Sequence, residues 1–375
     1  MRVTLISSEP VDYTIAFANG LAPHASVQAI LPVSRYDRLR QWFDHRVQLH
    51  LVDWPRTRSP LNPFFLAGLT RRIGRTCPDV VHLLSNTTLW LNAAAPFWPW
   101  PLVTTVHDVT VHPGDRDTAR LPSWASGMMA RQSDHLVVHG EQLRQAAATQ
   151  FRKDPHRVHV LPHPAIDRYA RLAARLGLSR NAPTGQFTVL LFGRIYAYKG
   201  LQTLLRAERL LRDKLPGLRI VIAGRGDDPW SLASEMGDTS RYDIRRGFVE
   251  DHAVAQLFTD ADLVVLPYDE ASQSGVLHLA GSFAKPVVVT DVGELAATVN
   301  PVGMGIVVPP KDPAALADAL LRLARDPDLR LAMGARAHDW SVGPNSPCTI
   351  GAHAMTIYND SVIPSAQPWP KGGIA

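Results

Sequence analysis

Cysteine is scarce in this sequence, and its two copies, Cys77 and Cys348, lie far apart and outside any metal-binding or redox motif. A structural disulfide is therefore not expected, which favours a reducing, cytoplasmic compartment. Also missing is a run of about 18 apolar residues, the length that crosses a membrane. The longest candidate, residues 89–106, is interrupted by three prolines. The opening "MRVTLISSEPVDY" has too short an apolar run for a signal peptide and predicts a first strand.

Acidic residues are few in the first half of the chain. Up to residue 175 there are 20 lysines and arginines against 13 aspartates and glutamates, whereas the rest has 19 against 21. A basic first half suggests an anionic partner, such as lipid headgroups, a phosphorylated acceptor or nucleic acid. Because the charges are scattered rather than clustered in blocks, an ordinary arginine-rich surface explains them equally well.

Short apolar runs such as "FTVLLFG" alternate with amphipathic segments such as "LQTLLRAERLLRDKL" through most of the 375 residues. This pattern predicts an α/β fold with two doubly wound, Rossmann-like domains that face a central cleft. The stretch 176–186, rich in Gly, Pro, Asn and Ser, predicts the joint between them. The expected domains are therefore 1–175 and 176–345, followed in 346–375 by one more helix and a flexible tail.

Cations and glycines follow two predicted strands of the second domain. In "LLFGRIYAYKG" a strand ends at Gly193, and Arg194 and Lys199 lie in the connection to the next helix. In "IAGRGDD" the next strand end carries Gly224 and Gly226. Open parallel sheets bind ligands beyond the carboxyl ends of their strands, and this pair of cations suits phosphate oxygens. Surface ion pairing and simple turns are the alternatives.

A third strand-end loop, "QSGV", opens a helix with Gln273, Ser274, Gly275 and Val276. A helix amino terminus carries roughly half a positive charge and is a ready phosphate site. Glycine there lets a ligand approach the backbone closely. The helix that follows has His278 as its one ionisable side chain. The alternative is ordinary capping of the helix by Ser274.

Five segments of the chain carry a family resemblance. They are "VTTVHDVTVHPGD" and "DHLVVHGEQLR" in the first domain and "FGRIYAYKGLQTLLRA", "GFVEDHAVAQLFTDADLVVLPY" and "SGVLHLAGSFAKPVVVTDVG" in the second. Together they resemble the family-four, retaining, nucleotide-sugar glycosyltransferases of the GT-B fold. The resemblance covers about residues 100–335 well and the first hundred weakly.

The resemblance implies that the first domain binds the acceptor and the second a nucleotide-diphosphate sugar, which lies in the interdomain cleft. Arg194 and Lys199 would neutralise the diphosphate leaving group, and the N–H groups of Ser274, Gly275 and Val276 would bind its distal phosphate. Such a site needs neither a metal nor a cofactor. Asp115 and Asp117, in "DRD", are weak evidence for a metal site, since metal-binding Asp-x-Asp sites belong to a different glycosyltransferase fold.

Histidines follow the strands of the first domain. By the resemblance, His107 contacts the transferred sugar, and Asp108 orients its ring. His139 and Glu141, at a later strand–helix turn, are assigned a structural role, as is His163 in "LPHP".

The family usually has two glutamates eight residues apart, and this chain has Ala271 and Leu279 in those places. Asp269 or Glu270 is expected to substitute for the first glutamate, near the sugar. In a site with so few carboxylates, the acceptor hydroxyl attacks the face from which the phosphate leaves, and the departing phosphate oxygen serves as base. Trapping a sugar covalently on either acid would refute that mechanism.

The predicted function is retaining transfer of a hexose-type sugar from a UDP- or GDP-sugar to a glycan or lipid-linked acceptor, in bacterial surface polysaccharide or glycolipid synthesis. The expected location is the cytoplasm, at the inner face of the plasma membrane, where Trp90, Trp98 and Trp100 would contact the bilayer unless they pack inside the protein.

Two other functions stay open on the sequence. A nucleotide-sugar epimerase of the same fold would need acid–base carboxylates, in which the second domain is poor. A non-catalytic nucleotide or nucleic-acid binder is compatible with a pI near 9.3. No concentrated basic stripe and no nucleic-acid module is present, so no nucleic-acid partner is expected.

Overall fold

The computed structural model describes residues 1–56, 59–86, 88–109, 123–183 and 185–362. The chain forms two compact units. The first comprises the described residues up to Pro164 together with those from Ser346 onwards, and the second comprises Ala165–Asn345. Among the described residues, no helix is both long and apolar enough to cross a membrane.

The first unit is built on a seven-stranded parallel sheet of order β3-β2-β1-β4-β5-β6-β7. Short 3₁₀ turns lie at Asp37–Trp42, Leu89–Ala93, Ala95–Phe97 and Pro155–Arg157. The regular elements are β1 (Arg2–Ile6), α1 (Val11–Leu21), β2 (Ser26–Pro32), α2 (Val33–Tyr36), β3 (Gln48–Val52), α3 (Asn62–Thr76), β4 (Val80–Leu83), β5 (Leu102–Thr105), α4 (Ser123–Gln132), β6 (His135–Val138), α5 (Glu141–Phe151) and β7 (Val158–Val160).

The second unit is built on a six-stranded parallel sheet of order β10-β9-β8-β11-β12-β13. Short 3₁₀ turns lie at Ala197–Lys199, Pro229–Glu235 and Thr239–Arg241. The regular elements are α6 (Arg168–Leu176), β8 (Phe187–Phe192), α7 (Leu201–Leu210), β9 (Leu218–Gly224), β10 (Tyr242–Arg246), α8 (Asp251–Asp260), β11 (Leu263–Leu266), α9 (Gly275–Ser282), β12 (Val287–Thr290), α10 (Leu295–Val302), β13 (Gly305–Val308), α11 (Pro313–Arg325) and α12 (Pro327–Val342).

Continuous apolar runs form the strands because both faces of each sheet are covered. In β8, Val189 and Leu191 belong to one buried cluster of the second unit, whereas Leu190 belongs to the cluster on the other face. A strand buried on both faces cannot alternate with polar residues, which explains the run "FTVLLF". The predicted α/β fold with two doubly wound parallel sheets is confirmed.

The boundary between the units falls earlier than the sequence predicted, at Pro164 and Ala165 rather than after residue 175. Helix α6 belongs to the second unit because Tyr169 packs in one of its cores and Arg168 forms a buried ion pair with Asp251, at 2.6 Å. The polar stretch that follows α6, described for residues 177–183 and 185–186, therefore belongs to the second unit. Its composition predicts a connection but not which core each flank joins.

The C-terminal helix α13 (Pro347–Val362) is an integral part of the first unit rather than a separate segment. It packs against α1, where a Cβ atom at Gly20 would overlap the carbonyl of Pro347. Tyr358 bonds through its hydroxyl to Nδ1 of the buried His82, at 2.7 Å. Residues 363–375, for which a flexible tail was predicted, lie outside the described residues.

Candidate functional site

The strand order of the second unit changes direction between β8 and β11, which is where open parallel sheets leave a ligand crevice. The loop after β8 carries Gly193, Arg194 and Lys199, and the loop after β11 leads into α9. These loops touch, since a Cβ atom at Gly193 would lie 3.6 Å from Cγ2 of Val276. The predicted meeting of these strand ends is thus present in the structure.

Lys199 is held towards the start of α9 by an aromatic ring. Its Nζ lies 3.6 Å from the ring centroid of Tyr268, a cation–π contact. The hydroxyl of Tyr268 in turn lies 3.1 Å from Oγ of Ser274. The loop geometry depends on Gly200, which has φ 68° and where a Cβ would overlap the carbonyl oxygen of Pro267. Lys199, Tyr268 and Ser274 therefore form a continuous chain of contacts.

Tyr268 is a fixed, neutral ring in this chain of contacts. It is 2% exposed, and burial raises its pKa to about 12, although the Ser274 hydrogen bond and the charge of Arg194 act in the lowering direction. Arg194 is thus close enough to act on the Tyr268 hydroxyl through its charge. Tyr268 was missed by the sequence analysis, because its contact with Lys199 joins two loops that are distant along the chain.

Ser274 occupies the N-cap position of α9, with φ −142° and ψ 117°, but its side chain makes no capping hydrogen bond. Its hydroxyl bonds to Tyr268 instead. Ordinary capping by Ser274, the alternative left open by the sequence, is therefore wrong. The first N–H groups of a helix have no intrahelical acceptor, so the backbone at Gly275 and Val276 offers donors at the amino end of the helix dipole.

The packing of the loop after β9 requires glycine at positions 224 and 226. Their φ angles are 148° and 144°, and Cβ atoms there would overlap the carbonyl oxygens of Gly193 and Ile195. The loop after β9 thus packs directly on the loop that carries Arg194, and Ile195 N–H donates to the Arg225 carbonyl at 2.7 Å. These glycines fix the shape of the site, and their contact with substrate stays a prediction.

The loop between β11 and α9 also presents oxygen acceptors. Oδ1 of Asp269 and Oε1 of Gln273 are buried without a hydrogen-bond partner among the described residues. Burial raises the pKa of Asp269, opposed by the charge of Lys311. Glu270 is exposed, whereas Leu279 is 3% exposed within the core. Acceptors without donors suit the hydroxyl groups of a sugar.

In the first unit, His107 follows β5 and is buried. Its Nε2 lies 2.9 Å from the Leu84 carbonyl oxygen, and its Nδ1 lies 3.0 Å from Nε2 of His139. These two partners orient the ring, and the Asp108 carboxylate acts on His107 through its charge. That Asp108 also orients the ring stays a prediction. Burial lowers the pKa of His107, outweighing the raising effects of Leu84 and Asp108.

His139 and His163 join His107 around the buried ring of Tyr13, whose centroid lies 4.7 Å from that of His107, 5.3 Å from His139 and 5.0 Å from His163. Nδ1 of His139 lies 2.9 Å from the carbonyl oxygen of Leu161. His139 is therefore the orienting partner of His107 as well as a structural residue. Glu141 is exposed at the start of α5 and bonds to Arg144. The "DRD" aspartates lie outside the described residues.

The fold matches solved glycosyltransferase structures across both units. Sucrose-phosphate synthase from Thermosynechococcus elongatus superposes with a TM-score of 0.72 at 17% identity, covering 96% of this chain and 98% of that one. Anabaena HepE, solved with UDP, gives 0.70 at 15% identity, covering 96% and 100%. WaaG, a glycosyltransferase involved in lipopolysaccharide biosynthesis, gives 0.62 at 16% identity, covering 95% and 99%. The protein therefore has the GT-B fold.

Sequence comparison narrows this class to a family. The description "Glycosyltransferase Family 4" matches residues 13–166, and "Glycosyl transferases group 1" matches residues 186–326. D-inositol 3-phosphate glycosyltransferase of Jonesia denitrificans is 30% identical over 311 residues, covering 73% of this chain and 71% of that protein. Alpha-D-kanosaminyltransferase of Streptomyces kanamyceticus is 27% identical, covering 72% and 75%. The chain belongs to glycosyltransferase family 4, and it is a glycosyltransferase.

Proposed function

We propose that this protein transfers a hexose-type sugar from a nucleotide-diphosphate sugar to a glycan or lipid-linked acceptor, with retention of anomeric configuration and without a metal ion. The observation that carries the proposal is the chain of contacts from Lys199 through Tyr268 to Ser274 at the amino end of α9. It gathers a fixed cation and a helix amino terminus at the crevice where the strand order changes direction.

This arrangement suits a pyrophosphate leaving group. Arg194 offers a planar fork of donors and Lys199 a point charge, while the N–H groups at the start of α9 point along the helix dipole. Fixed donors and charges of this kind stabilise negative charge as it develops on the leaving group. They replace the divalent cation that would otherwise neutralise a diphosphate.

The sugar would lie against the loop between β11 and α9. Asp269 and Gln273 present buried oxygens that can accept from its hydroxyl groups. Because both ring nitrogens of His107 are engaged by the protein, we do not expect His107 to transfer a proton in the reaction. With no nucleophile assigned, the acceptor hydroxyl attacks the same face that the phosphate leaves.

The named relatives and the charge of the first unit suggest the acceptor, the donor and the biological setting. Relatives named D-inositol 3-phosphate glycosyltransferase imply an acceptor that bears a phosphate, and the basic first 175 residues would attract such a group. HepE, solved with UDP and with UDP-glucose, favours a UDP-sugar over a GDP-sugar as the donor. The likeness to WaaG supports surface polysaccharide or glycolipid synthesis at the cytoplasmic face of the membrane.

The test is a thermal-shift panel of UDP, GDP, ADP and dTDP against the wild type and Arg194→Ala. A nucleotide at a hundred times its dissociation constant adds about 2.7 kcal/mol of stability, a shift of roughly 5–10 °C for a unit of this size. We expect UDP to shift the wild type and to lose most of that shift in Arg194→Ala. Arg325→Ala, which removes an exposed arginine of the same unit, is the control.

Three outcomes would contradict the proposal. If none of the four nucleotides raised the melting temperature of the wild type, the proposed nucleotide site would be wrong. Epimerised sugar formed from the donor without acceptor would indicate an epimerase. Steep salt-dependent binding to DNA, without nucleotide-diphosphate binding, would indicate a nucleic-acid protein.

A further inference from the structure

Helix α3 of the first unit leaves large apolar side chains in solvent. Leu61, at its N-cap, is 64% exposed and Phe64 is 78% exposed, while the opposite side of the helix buries Leu69 and Ile73. Phe97, which is 83% exposed, belongs to the short turn just before Trp98. Exposed aromatic and aliphatic side chains of this size mark interaction surfaces when they cluster.

Helical spacing places one set of exposed residues on a single side of α3, which we call the α3 face: Leu61, Phe64, Gly68, Arg71 and Arg75. A Cβ atom at Gly68 would have no neighbour within 4 Å, so the middle of the α3 face is open. The face is apolar over its first two turns and basic over its last two.

The sequence through α3 carries charge of one sign. Residues 54–78, between Asp53 and Asp79, contain five arginines and no lysine, aspartate or glutamate, in a chain whose net charge is +5. Arg71 and Arg75 are exposed, whereas Arg72 lies 3.4 Å from Nδ1 of His50. The α3 face thus combines exposed apolar groups with two exposed arginines.

The segment that contains Phe97 packs against α3 at Thr70 and Gly74, which lie outside the α3 face. Nε1 of Trp98 donates to Oγ1 of Thr70 at 2.9 Å, and the Trp100 ring lies 3.6 Å from a Cβ at Gly74. The segment that carries Phe97 therefore runs along α3. Trp90 and Trp98 are 8% and 3% exposed, so these tryptophans pack inside the protein and are not the membrane contact that the sequence suggested.

We propose that the α3 face rests on a membrane surface that contains anionic lipid. Helices that lie in a bilayer interface combine inserted Phe and Leu side chains with arginines that attract anionic headgroups. The inference deepens the proposed function, since it rests on a lipid-linked acceptor, and it names the surface that meets the lipid.

A second copy of this chain fits the α3 face less well. A two-fold symmetric contact would bring the arginines of one face against either the same arginines or the apolar half of the other face, and neither offers them an acidic partner. An anionic polymer such as nucleic acid would satisfy Arg71 and Arg75 but would leave Leu61 and Phe64 in water. An anionic bilayer would bury Leu61 and Phe64 and would also attract Arg71 and Arg75.

The experiment is cosedimentation of the full chain with vesicles of phosphatidylcholine alone or of equal parts phosphatidylcholine and phosphatidylglycerol. We expect binding to the anionic vesicles and weak binding to the neutral ones. Arg71→Gln/Arg75→Gln should lower partitioning about 25-fold, from about fivefold for each arginine. Phe64→Gln should lower partitioning by about tenfold or more, because one aromatic side chain no longer inserts into the bilayer.

Matched controls lie in the second unit. Arg322→Gln/Arg325→Gln removes two exposed arginines of α11, and Leu331→Gln removes an apolar side chain that is 70% exposed. Neither should change partitioning. Circular dichroism melting checks that every variant is folded, and the UDP thermal shift should be unchanged in the α3 variants, which separates this proposal from the nucleotide site.

Absence of wild-type binding to anionic vesicles would overturn the proposal, as would equal binding by the α3 variants. Sedimentation equilibrium provides the other decisive result. If the wild type were a dimer that Phe64→Gln converted to a monomer, the α3 face would be a self-association surface and the lipid assignment would be wrong.

Discussion

Stability of the second unit should depend on pH through His278, which lies on α9, the helix whose amino end is the proposed nucleotide site. His278 is 5% exposed, and burial lowers its pKa to about 3. Its Nδ1 lies 3.0 Å from Nδ2 of Asn345, an amide nitrogen that can only donate, so Nδ1 must be unprotonated. The folded protein therefore holds this imidazole neutral.

The sign and size of the effect follow from that pKa. An unfolded histidine takes up a proton near pH 6.5. Below that pH the unfolded state binds more protons than the folded state. The contribution of His278 to the free energy of unfolding is therefore fully present above pH 6.5 and is lost as the pH falls towards 3. With a folded pKa of about 3, lowering the pH from 7 to 5 costs about 1.9 kcal/mol through His278 alone.

Urea unfolding of the wild type and His278→Gln at pH 7 and pH 5 measures this difference. Glutamine can still accept from Asn345 and does not titrate. We expect the loss of unfolding free energy between the two pH values to be smaller by about 1.9 kcal/mol in His278→Gln. His338→Gln, which removes an exposed histidine of the same unit, should behave as the wild type does. Equal losses in wild type and His278→Gln would refute the assignment of a buried neutral imidazole.

Two further predictions concern the loops around the site. Gly224→Ala should destabilise the second unit by at least about 2 kcal/mol in urea unfolding, because its Cβ overlaps the carbonyl of Gly193; Gly68→Ala, on an open helix surface, should instead stabilise by about 0.5–1 kcal/mol. Tyr268→Phe keeps the ring beneath Lys199 and removes the bond to Ser274. This variant should lose about 1 kcal/mol of unfolding free energy. Its UDP affinity, measured by calorimetry, should stay within a few-fold of the wild type. A hundredfold loss of affinity would contradict the view that the ring of Tyr268, rather than its hydroxyl, supports UDP binding.

Local patterns were sufficient to predict the sheets and the loops that matter. The runs that form β8 and β11 are apolar because they are covered on both faces, so their ends, and hence Arg194 and Ser274, are visible in the sequence. The meeting of those ends could also be inferred, since parallel strands place their carboxyl ends along one edge.

Contacts between distant segments were not predictable in the same way. Nothing local to Ser274 shows that its hydroxyl bonds to Tyr268 rather than capping α9. Likewise, the orientation of His107 depends on His139 and on the backbone at Leu84, which come from different strands. The place of α6 in the second unit depends on Asp251, far along the chain.

The absence of charge from α9 is consistent with the chemistry proposed for its amino end. An acidic side chain in its first turn would compete with an anionic ligand for the helix dipole and for Lys199. In this chain the positive charges come instead from the neighbouring strand end, where Lys199 Nζ lies 3.6 Å from the centroid of the Tyr268 ring. Leu279 is buried in the core, whereas Asp269 and Gln273 of the preceding loop carry oxygens without a hydrogen-bond partner among the described residues. In the function proposed above, the helix end would bind phosphate and the adjacent loop would bind hydroxyl groups.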